Sequence, residues 1–220
     1  MEVSESVQPN SKFWDRIAKR YAKSAIKDEA AYQQKLNITQ QYLEPHHRVL
    51  EVGCGTGGTA LALAPFIEHM TATDISSAML SYGEEKLAAT GLSNVDFRQG
   101  SVEQISEQVG GDEQKFDVLC AFSLIHLLDN PDSFYAHVQK LLKPGGFFVT
   151  STACLQDHLA WLKYVLPLGR MMGLVPNVRF LTEESLLQEI KDQNFTVEHH
   201  WRPQPDAGVF VVAQYQPSSS

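Results

Sequence analysis

The sequence VLEVGCGTGG, residues 49–58, decides how this chain folds. An aliphatic run at Val49–Val52 predicts a strand, glycines then recur through the turn, and the helical pattern of Gly57–Ile67 follows. Glycine lets the backbone turn tightly and lets a ligand lie against it, because no Cβ stands in the way. The helix that follows offers free N–H groups to a polar or anionic group. This stretch therefore predicts a strand, a ligand-binding turn and a helix, in that order.

An acidic residue, Asp74, ends the next predicted strand. In a βαβ unit the end of the second strand lies beside the glycine turn, so this carboxylate can accept two hydrogen bonds from a ribose diol. We interpret the unit as a nucleoside-binding site. Taken alone it stays ambiguous, because Gly53, Gly55 and Gly58 also match the dinucleotide fingerprint GxGxxG, and glycines that only make a tight turn would look the same.

Strands and helices alternate along the rest of the chain, which predicts parallel strands with helices on both faces of the sheet. Asn130 and Pro131 suit the start of one helix, and Pro144–Gly146 separates it from the next strand. Strands are predicted at Arg48–Val52, His69–Asp74, Val95–Gln99, Phe116–Phe122, Phe147–Thr152, Phe195–His199 and Gly208–Tyr215. Helices are predicted from Phe13, over Ala31–Leu43, Gly57–Ile67, Ser77–Thr90, Val102–Val109 and Pro131–Leu142, and from Thr182 onward. The fold class is therefore α/β: a Rossmann-like, doubly wound, mostly parallel seven-stranded sheet with an antiparallel C-terminal hairpin and an N-terminal helical cap.

Length and composition bound the organisation of the chain. Its 220 residues, 43% of them apolar, predict one domain over residues 1–220. Residues 11–45 supply the N-terminal helices and residues 155–180 a cap on the acceptor side, while the polar segments 1–10 and 216–220 are expected to be disordered. The formal charge is −8 and the pI about 5.4, which argues against nucleic acid as the main partner.

Cysteine usage and hydropathy indicate a cytoplasmic protein. Cys54, Cys120 and Cys154 are few and widely spaced, so neither a disulfide framework nor a zinc site is expected. The pairs His46-His47 and His199-His200 have no acidic or cysteine partner at ligand spacing, so we predict no metal site. The polar N-terminus lacks a signal-peptide pattern, and no apolar run reaches the ~20 residues that span a bilayer.

Four segments in combination resemble the class I S-adenosylmethionine-dependent methyltransferases, and in particular the group that acts on small molecules, quinones and lipids. They are VLEVGCGTG (residues 49–57), ATDIS (72–76), FDVLCAFSLIHLL (116–128) and LLKPGGFFV (141–149). The resemblance runs from about Phe13 to Thr152. It implies transfer of a methyl group from S-adenosylmethionine to a small, partly apolar acceptor by in-line displacement, leaving S-adenosylhomocysteine (SAH).

The resemblance also implies roles for the residues around the methionine portion of the cofactor. Gly53, Cys54 and Gly55 would lie along it, and Glu51 would organise the loop beneath. Tyr21 resembles a tyrosine that reaches the methionine carboxylate, although an aromatic residue at this spacing could equally pack in the core.

A second group of residues is implied at the adenosine end. Asp74 would hold the ribose hydroxyls, and Ile75 and Met79 would border the adenine. The loop that meets the adenine amino group would be Gly100, Ser101 and Val102. The family more often has aspartate where this chain has Ser101, and a hydroxyl accepts a hydrogen bond more weakly than a carboxylate.

Methyl transfer from a sulfonium requires alignment and exclusion of water more than a covalent nucleophile or a metal. By the resemblance, Phe122 and Ser123 would line the cofactor pocket after the fourth strand. His126, just beyond them, is the candidate catalytic base, or else a histidine that shapes the pocket wall.

The apolar segment Leu155–Val175 is the candidate acceptor-side cap. Its residues Trp161, Tyr164, Met171 and Met172 could line an apolar pocket, cover the sheet edge, or touch a membrane or a second subunit. His158, Arg170 and Arg179 are weaker polar candidates in or near it.

Two other functions compete with methyl transfer. One is an NAD(P)-dependent oxidoreductase using the same glycine loop, although the sequence shows no second mononucleotide-binding half and no Tyr-x-x-x-Lys pair. The other is a non-catalytic S-adenosylmethionine-binding protein. The sequence identifies neither the acceptor atom nor the oligomeric state.

Overall fold

The computed structural model describes residues 11–157, 159 and 177–217, without the side chain of Asp112. The strands are β1 (Arg48–Val52), β2 (His69–Asp74), β3 (Val95–Gln99), β4 (Phe116–Phe122), β5 (Leu142–Thr152), β6 (Phe195–Trp201) and β7 (Val209–Tyr215). The α-helices are α1 (Ser11–Ala22), α2 (Glu29–Gln40), α3 (Gly58–Leu63), α4 (Ser77–Ala88), α5 (Val102–Gln108), α6 (Pro131–Leu141) and α7 (Glu183–Asp192). Short 3₁₀ turns lie at Ala64–Phe66, Asp112–Gln114, Ile125–Leu127 and Leu155–Asp157.

One seven-stranded sheet with the order β3-β2-β1-β4-β5-β7-β6 organises the molecule. Strands β1 to β5 pair in parallel, and β7 is antiparallel to both β5 and β6. The predicted α/β class, with its antiparallel C-terminal hairpin, is confirmed. The strand order reverses between β1 and β4, and at such a point the carboxyl ends of the strands leave a crevice for ligands.

The aliphatic run of β1 forms a strand because both of its faces are covered. Leu50 belongs to a cluster with residues of α5, α6 and α7, whereas Val49 belongs to one with residues of α2, α3 and α4. Both side chains are fully buried, and burying an aliphatic side chain contributes about 1.5–3 kcal/mol. The core thus continues on both sides of the sheet and holds the carboxyl ends of its strands in place.

Several predicted boundaries were wrong. The helix predicted over Gly57–Ile67 is α-helical only to Leu63, because Pro65 lacks an N–H and the chain continues as a 3₁₀ turn. Helix α2 begins earlier than predicted, since the Asp28 side chain accepts a hydrogen bond from Ala31 N and caps it.

Strand β5 also begins earlier, directly after α6. Leu142 pairs with Phe116, and a register irregularity follows before Val118 pairs with Phe147. The sequence Pro144–Gly146 therefore lies within the strand and does not separate it from the helix. Gly145 has φ +79°, a conformation that suits glycine at this irregularity.

Some predictions fall outside the described residues. These include segment 1–10, His158, most of the segment Leu155–Val175 and the last three residues of the tail. Gln216, in the predicted disordered tail, donates its N–H to Asn194 O. Among the described helices none is long and apolar enough to span a membrane.

Candidate functional site

A cleft of about 610 Å³ opens at the carboxyl ends of the parallel strands, which we call the carboxyl edge of the sheet. The residues that line it come from α1, from the loops after β1 to β5 and from the chain before α7. They are Trp14, Tyr21, Val52, Gly53, Gly55, Asp74, Ile75, Met79, Gly100, Ser101, Val102, Glu103, Phe122, Ser123, Leu124, His126, Leu127, Leu128, Asp129, Asn130, Phe134, Ala153, Leu155 and Val178.

The glycine turn after β1 forms one wall of this cleft. Gly53, Gly55 and Gly57 all have positive φ, between +54° and +70°, where a side chain would be strained. Two of them also allow close approach: a Cβ on Gly53 would lie 3.2 Å from Leu124 Cδ1, and one on Gly57 only 2.4 Å from Phe97 Cζ. The turn is tied to β2, since Cys54 N donates to Thr73 O at 2.9 Å.

Asp74, at the end of β2, faces the cleft from beside the turn. Its Oδ2 accepts from Gly55 N and its Oδ1 from Ser76 N, both at 2.9 Å. The side chain is largely buried, and this burial raises the pKa of its carboxyl although the two N–H groups lower it. One buried carboxylate thus holds the glycine turn and borders the open space.

Glu51 lies behind the turn and outside the cleft lining. It is 2% exposed, and its burial, with Asp74 nearby, raises the pKa of its carboxyl to about 8. The backbone N–H of Ala60 bonds to this carboxyl and partly opposes the shift. Its Oε2 is buried and has no hydrogen-bond partner among the described residues.

Cys54 also lies away from the cleft lining, packed in the cluster on the α2 and α3 side of the sheet. Its thiol is buried, and this burial raises its pKa well above the ordinary value. Only the backbone at this position belongs to the turn.

Helix α1 covers the cofactor end of the cleft through Trp14 and Tyr21. Asp15 fastens it to the start of α4, because its Oδ1 accepts from Ser76 Oγ at 2.6 Å and from Ala78 N at 3.2 Å. The half-exposed Tyr21 ring lies close to Gly55, and burial of its hydroxyl, with Asp74 and then Glu51 nearby, raises its pKa. Tyr21 is therefore a neutral donor at the rim of the turn.

The end of the cleft where the resemblance predicts the adenosine is bordered by the loops after β2 and β3. Ile75 and Met79 follow Asp74, and Gly100 N donates to Asp74 O at 3.0 Å, which joins the two loops. Ser101 and Gln104 form a capping box at the start of α5: Ser101 N donates to Gln104 Oε1, and the buried Ser101 hydroxyl faces the Gln104 N–H without making a regular hydrogen bond in the described part of the chain. A weakly paired hydroxyl at a cleft wall is suited to bond a ligand, since leaving it unpaired costs about 1–3 kcal/mol.

The loop after β4 forms the opposite wall. Ser123 has φ +54° and donates its N–H to Ser151 O at 2.7 Å, which turns the chain sharply after Phe122. His126 follows on the 3₁₀ turn Ile125–Leu127. Burial lowers its pKa to about 4, and its Nδ1 is buried with no partner in the residues described. The imidazole is therefore neutral near pH 7.

The structure brings almost all predicted site residues to this one cleft; the exceptions are Glu51 and Cys54. Sequence reasoning missed Trp14 as a lining residue, whereas Leu155 and Val178 belong to the segment 155–180 predicted as the acceptor-side cap. It also missed the bond between Asp15 and Ser76. The acidic residue beside Trp14 on α1 was the only signal for that bond, because nothing in the local sequence tells which helix this one contacts.

The unpaired polar atoms of this region test whether its residues fit S-adenosylmethionine. Glu51 Oε2 and Ser101 Oγ are buried without partners in the described residues, at the turn and at the adenosine end respectively. The Asp74 carboxylate lies between these two regions. Asp74 and Ser101 thus offer oxygen acceptors along the cleft, with Glu51 behind the turn, and this set of groups fits an adenosyl ligand.

The statement that His46-His47 has no acidic partner was wrong. Candidate ligand atoms of Glu44, His46 and His47 lie within 4.8 Å of one another, with His46 Nδ1 3.5 Å from Glu44 Oε2. These residues precede β1, so they lie at the edge of the sheet opposite to the cleft. The Glu44 and His46 side chains are 63% and 71% exposed, and the cluster has no part in the site described above.

Comparison with known proteins identifies the family to which this chain belongs. The family described as "Methyltransferase domain" matches residues 43–209, which is more than half of the chain. A ubiquinone biosynthesis O-methyltransferase of Dechloromonas aromatica is 35% identical over 156 residues, which are 69% of this chain and 65% of that protein.

A highly reducing polyketide synthase of Fusarium mangiferae is 30% identical over 157 residues, 68% of this chain. The chain spans only 6% of that synthase and slightly less than two thirds of the ubiquinone enzyme. Among solved structures, DhpI in complex with SAH superposes with a TM-score of 0.71 at 16% identity, covering 98% of this chain and all of that one. This last likeness concerns the fold.

Proposed function

Because this chain belongs to the methyltransferase domain family, we propose that it transfers the methyl group of S-adenosylmethionine to a small, partly apolar acceptor. The observation that carries the proposal is the bond between Gly55 N and Asp74 Oδ2, which holds the glycine turn and a carboxylate at one wall of the cleft. That pairing suits a ribose diol lying against a bare backbone.

Residues of one half of the cleft would hold the cofactor. Asp74 accepts from the ribose hydroxyls, and Ser101 contacts the adenine. Ile75 and Met79 supply apolar surface beside the ring. Tyr21 donates to the methionine carboxylate from α1, and Glu51 organises the loop beneath the methionine from behind the turn. All of these residues except Glu51 line the cleft, which supports the proposal.

The other half of the cleft is mainly apolar and would hold the acceptor. Its lining includes Leu124, Leu127, Leu128, Phe134, Ala153, Leu155 and Val178. Surfaces of this kind favour acceptors that are themselves partly apolar. The names of the relatives, a ubiquinone biosynthesis enzyme and a polyketide synthase, agree with such acceptors.

His126 would accept the proton of the acceptor. S-Adenosylmethionine supplies an electrophilic methyl group: the acceptor's lone pair forms the new bond to carbon, and the electrons of the broken C–S bond stay on sulfur. An oxygen that has received the methyl group becomes a strongly acidic oxonium, so a weak base suffices. The neutral His126 imidazole, with Nδ1 unpartnered, is such a base.

Activity is tested with methyl-labelled S-adenosylmethionine and a panel of apolar phenols, enols and amines. We expect label in an acceptor with wild-type protein and a loss of labelled product in Asp74→Ala. If SAH binds but no acceptor in a broad panel is ever labelled, the non-catalytic alternative gains support over this proposal.

We also propose the cytoplasm as the compartment. Cys54, Cys120 and Cys154 are all free and buried thiols, which is typical of proteins kept in a reducing environment. The proposed partner is the small-molecule acceptor, with no role for nucleic acid.

A further inference from the structure

The orientation of His126 depends on its backbone. No hydrogen bond to Nδ1 is found within the described residues, so no side-chain partner at that atom aims the imidazole. The turn Ile125–Leu127 that carries it is only three residues long. Whatever holds the carbonyl groups of this turn therefore also sets where the imidazole points.

Arg179 contacts two of those carbonyl groups. Its backbone N donates to His126 O at 2.7 Å, and its guanidinium Nη1 lies 3.5 Å from Ile125 O. The same guanidinium makes two bonds to Glu189, Nη1 to Oε1 at 3.2 Å and Nη2 to Oε2 at 2.5 Å. The Arg179 and Glu189 side chains are only 21% and 18% exposed.

Glu189 is a firm anchor because α7 is fixed in the core. Leu186 and Ile190 on the same helix are fully buried. The helix begins at Thr182, whose Oγ1 accepts from Ser185 N at 3.0 Å. A path of side chains thus runs from the core through Glu189 and the Arg179 guanidinium to Ile125 O, and the Arg179 main chain adds the bond to His126 O.

We propose that Arg179, held by Glu189, is a positioning residue that keeps the His126 turn in its productive place against the cleft. This inference rests on the proposed function, in which His126 accepts the acceptor's proton. Arginine suits the task because its planar fork bonds a carboxylate with two nitrogens while one of them also reaches a carbonyl. Lysine keeps the charge but cannot make this arrangement.

A second arginine provides a matched control. Arg202 Nη1 bonds Asp157 at 2.7 Å and Glu183 at 3.4 Å, and its side chain is 14% exposed. Of the Arg202 bonds found in the described chain, none reaches the His126 turn; its other one goes to Ala207 O. Replacing either arginine by lysine removes a partly buried pair of the same kind. Only Arg179→Lys also removes a side-chain contact with the turn, the one to Ile125 O, while the main-chain bond from residue 179 to His126 O remains.

The experiment compares Arg179→Lys and Glu189→Gln with Arg202→Lys. In the first two variants we expect kcat to fall about 10- to 100-fold, the scale that follows from a misplaced catalytic group, while SAH affinity changes less than twofold. Arg202→Lys is expected to lose similar thermal stability and keep kcat. A second readout is the ionisation of His126, followed by NMR and assigned by its loss in His126→Asn.

We expect the pKa of His126 to rise in Arg179→Lys and to stay unchanged in Arg202→Lys, since a released imidazole is more exposed to water. Equal effects of the two lysine variants on kcat and on this ionisation would overturn the inference and leave a plain stability role. The base role of His126 fails separately, if His126→Asn keeps full kcat, and methyl transfer itself fails if no acceptor is ever labelled, whatever Arg179→Lys does. If no acceptor is at hand, the NMR comparison alone decides about Arg179.

Discussion

At the scale of single residues, Asp74 has the clearest predicted effect on the cofactor. We expect Asp74→Ala to weaken SAH binding about 10- to 100-fold, because hydrogen bonds to a charged partner contribute about 1.5–3 kcal/mol. Calorimetry measures this affinity. Asp96→Ala is the control, since that exposed carboxylate lies on the neighbouring strand outside the cleft. Equal affinity of Asp74→Ala and wild type would remove the ribose assignment.

The raised pKa of the Glu51 carboxyl predicts an unusual dependence of stability on pH. Its folded pKa, about 8, lies above the ordinary 4.5, so the folded state holds the proton more strongly than the unfolded state. The free energy of unfolding must then fall as pH rises from about 4.5 to 8.

Glu51→Gln removes this dependence, because the amide is neutral throughout. Between pH 6 and 8, without cofactor, wild type should lose about 2 kcal/mol more than the variant in urea unfolding. Parallel pH profiles for the two proteins would show that the carboxyl titrates normally.

The lowered pKa of His126 predicts how the rate of methyl transfer depends on pH. With a pKa of about 4 its imidazole is neutral, and able to accept a proton, at any pH well above 4. We therefore expect no loss of kcat/KM from this group between pH 7.5 and 5.5, and His126→Asn to lower kcat more than SAH affinity. An acid limb near pH 6.5 that disappears in His126→Asn would contradict the lowered pKa.

At the scale of elements, the turn between β1 and α3 depends on Gly57. Gly57 and Gly91 share nearly the same left-handed φ, +70° and +73°, but a Cβ would meet Phe97 Cζ at 2.4 Å in the first and open space in the second. We expect Gly91→Ala to cost about 1–2 kcal/mol and Gly57→Ala to cost more.

Urea unfolding measures both glycine variants. Adding Phe97→Leu should recover part of the Gly57→Ala loss by vacating the ring position. If Gly57→Ala and Gly91→Ala lower the free energy of unfolding equally, the close approach of Phe97 does not affect stability.

Most of the elements were predictable because β1 to β4 are short and all but the edge strand β3 are largely buried. Aliphatic runs between polar turns mark such strands, and the predicted bounds of these four match the structure. The wrong boundaries have local causes that the hydrophobic periodicity of the sequence does not indicate. Pro65 ends α3 early, and the pairing of Leu142 with Phe116 starts β5 before its glycines.

The site was predictable wherever a residue follows a strand, as Asp74, Ser101 and Ser123 do. Parallel strands bring their carboxyl ends to one edge, so order along the chain predicts proximity there. Asp15 and Arg179 could not be found this way. Their partners, Ser76 and the His126 turn, lie far away in sequence and are set by how helices dock.

In the whole molecule, the strand order decides where the loops that form the site lie relative to one another. The reversal between β1 and β4 separates the loops that follow these two strands, and Leu124 still reaches Gly53 across the gap. The family resemblance drawn from four short segments is confirmed by the family match over residues 43–209. Most of the residues that line the cleft at this reversal fall within the range of the family match.

We expect this cleft to bind an adenosyl sulfur cofactor and not a dinucleotide. Titration calorimetry of the full chain with SAH and, separately, with NADH distinguishes the two. We predict one SAH bound per chain and no saturable heat with NADH. Tight binding of NADH together with no response to SAH would contradict the claim.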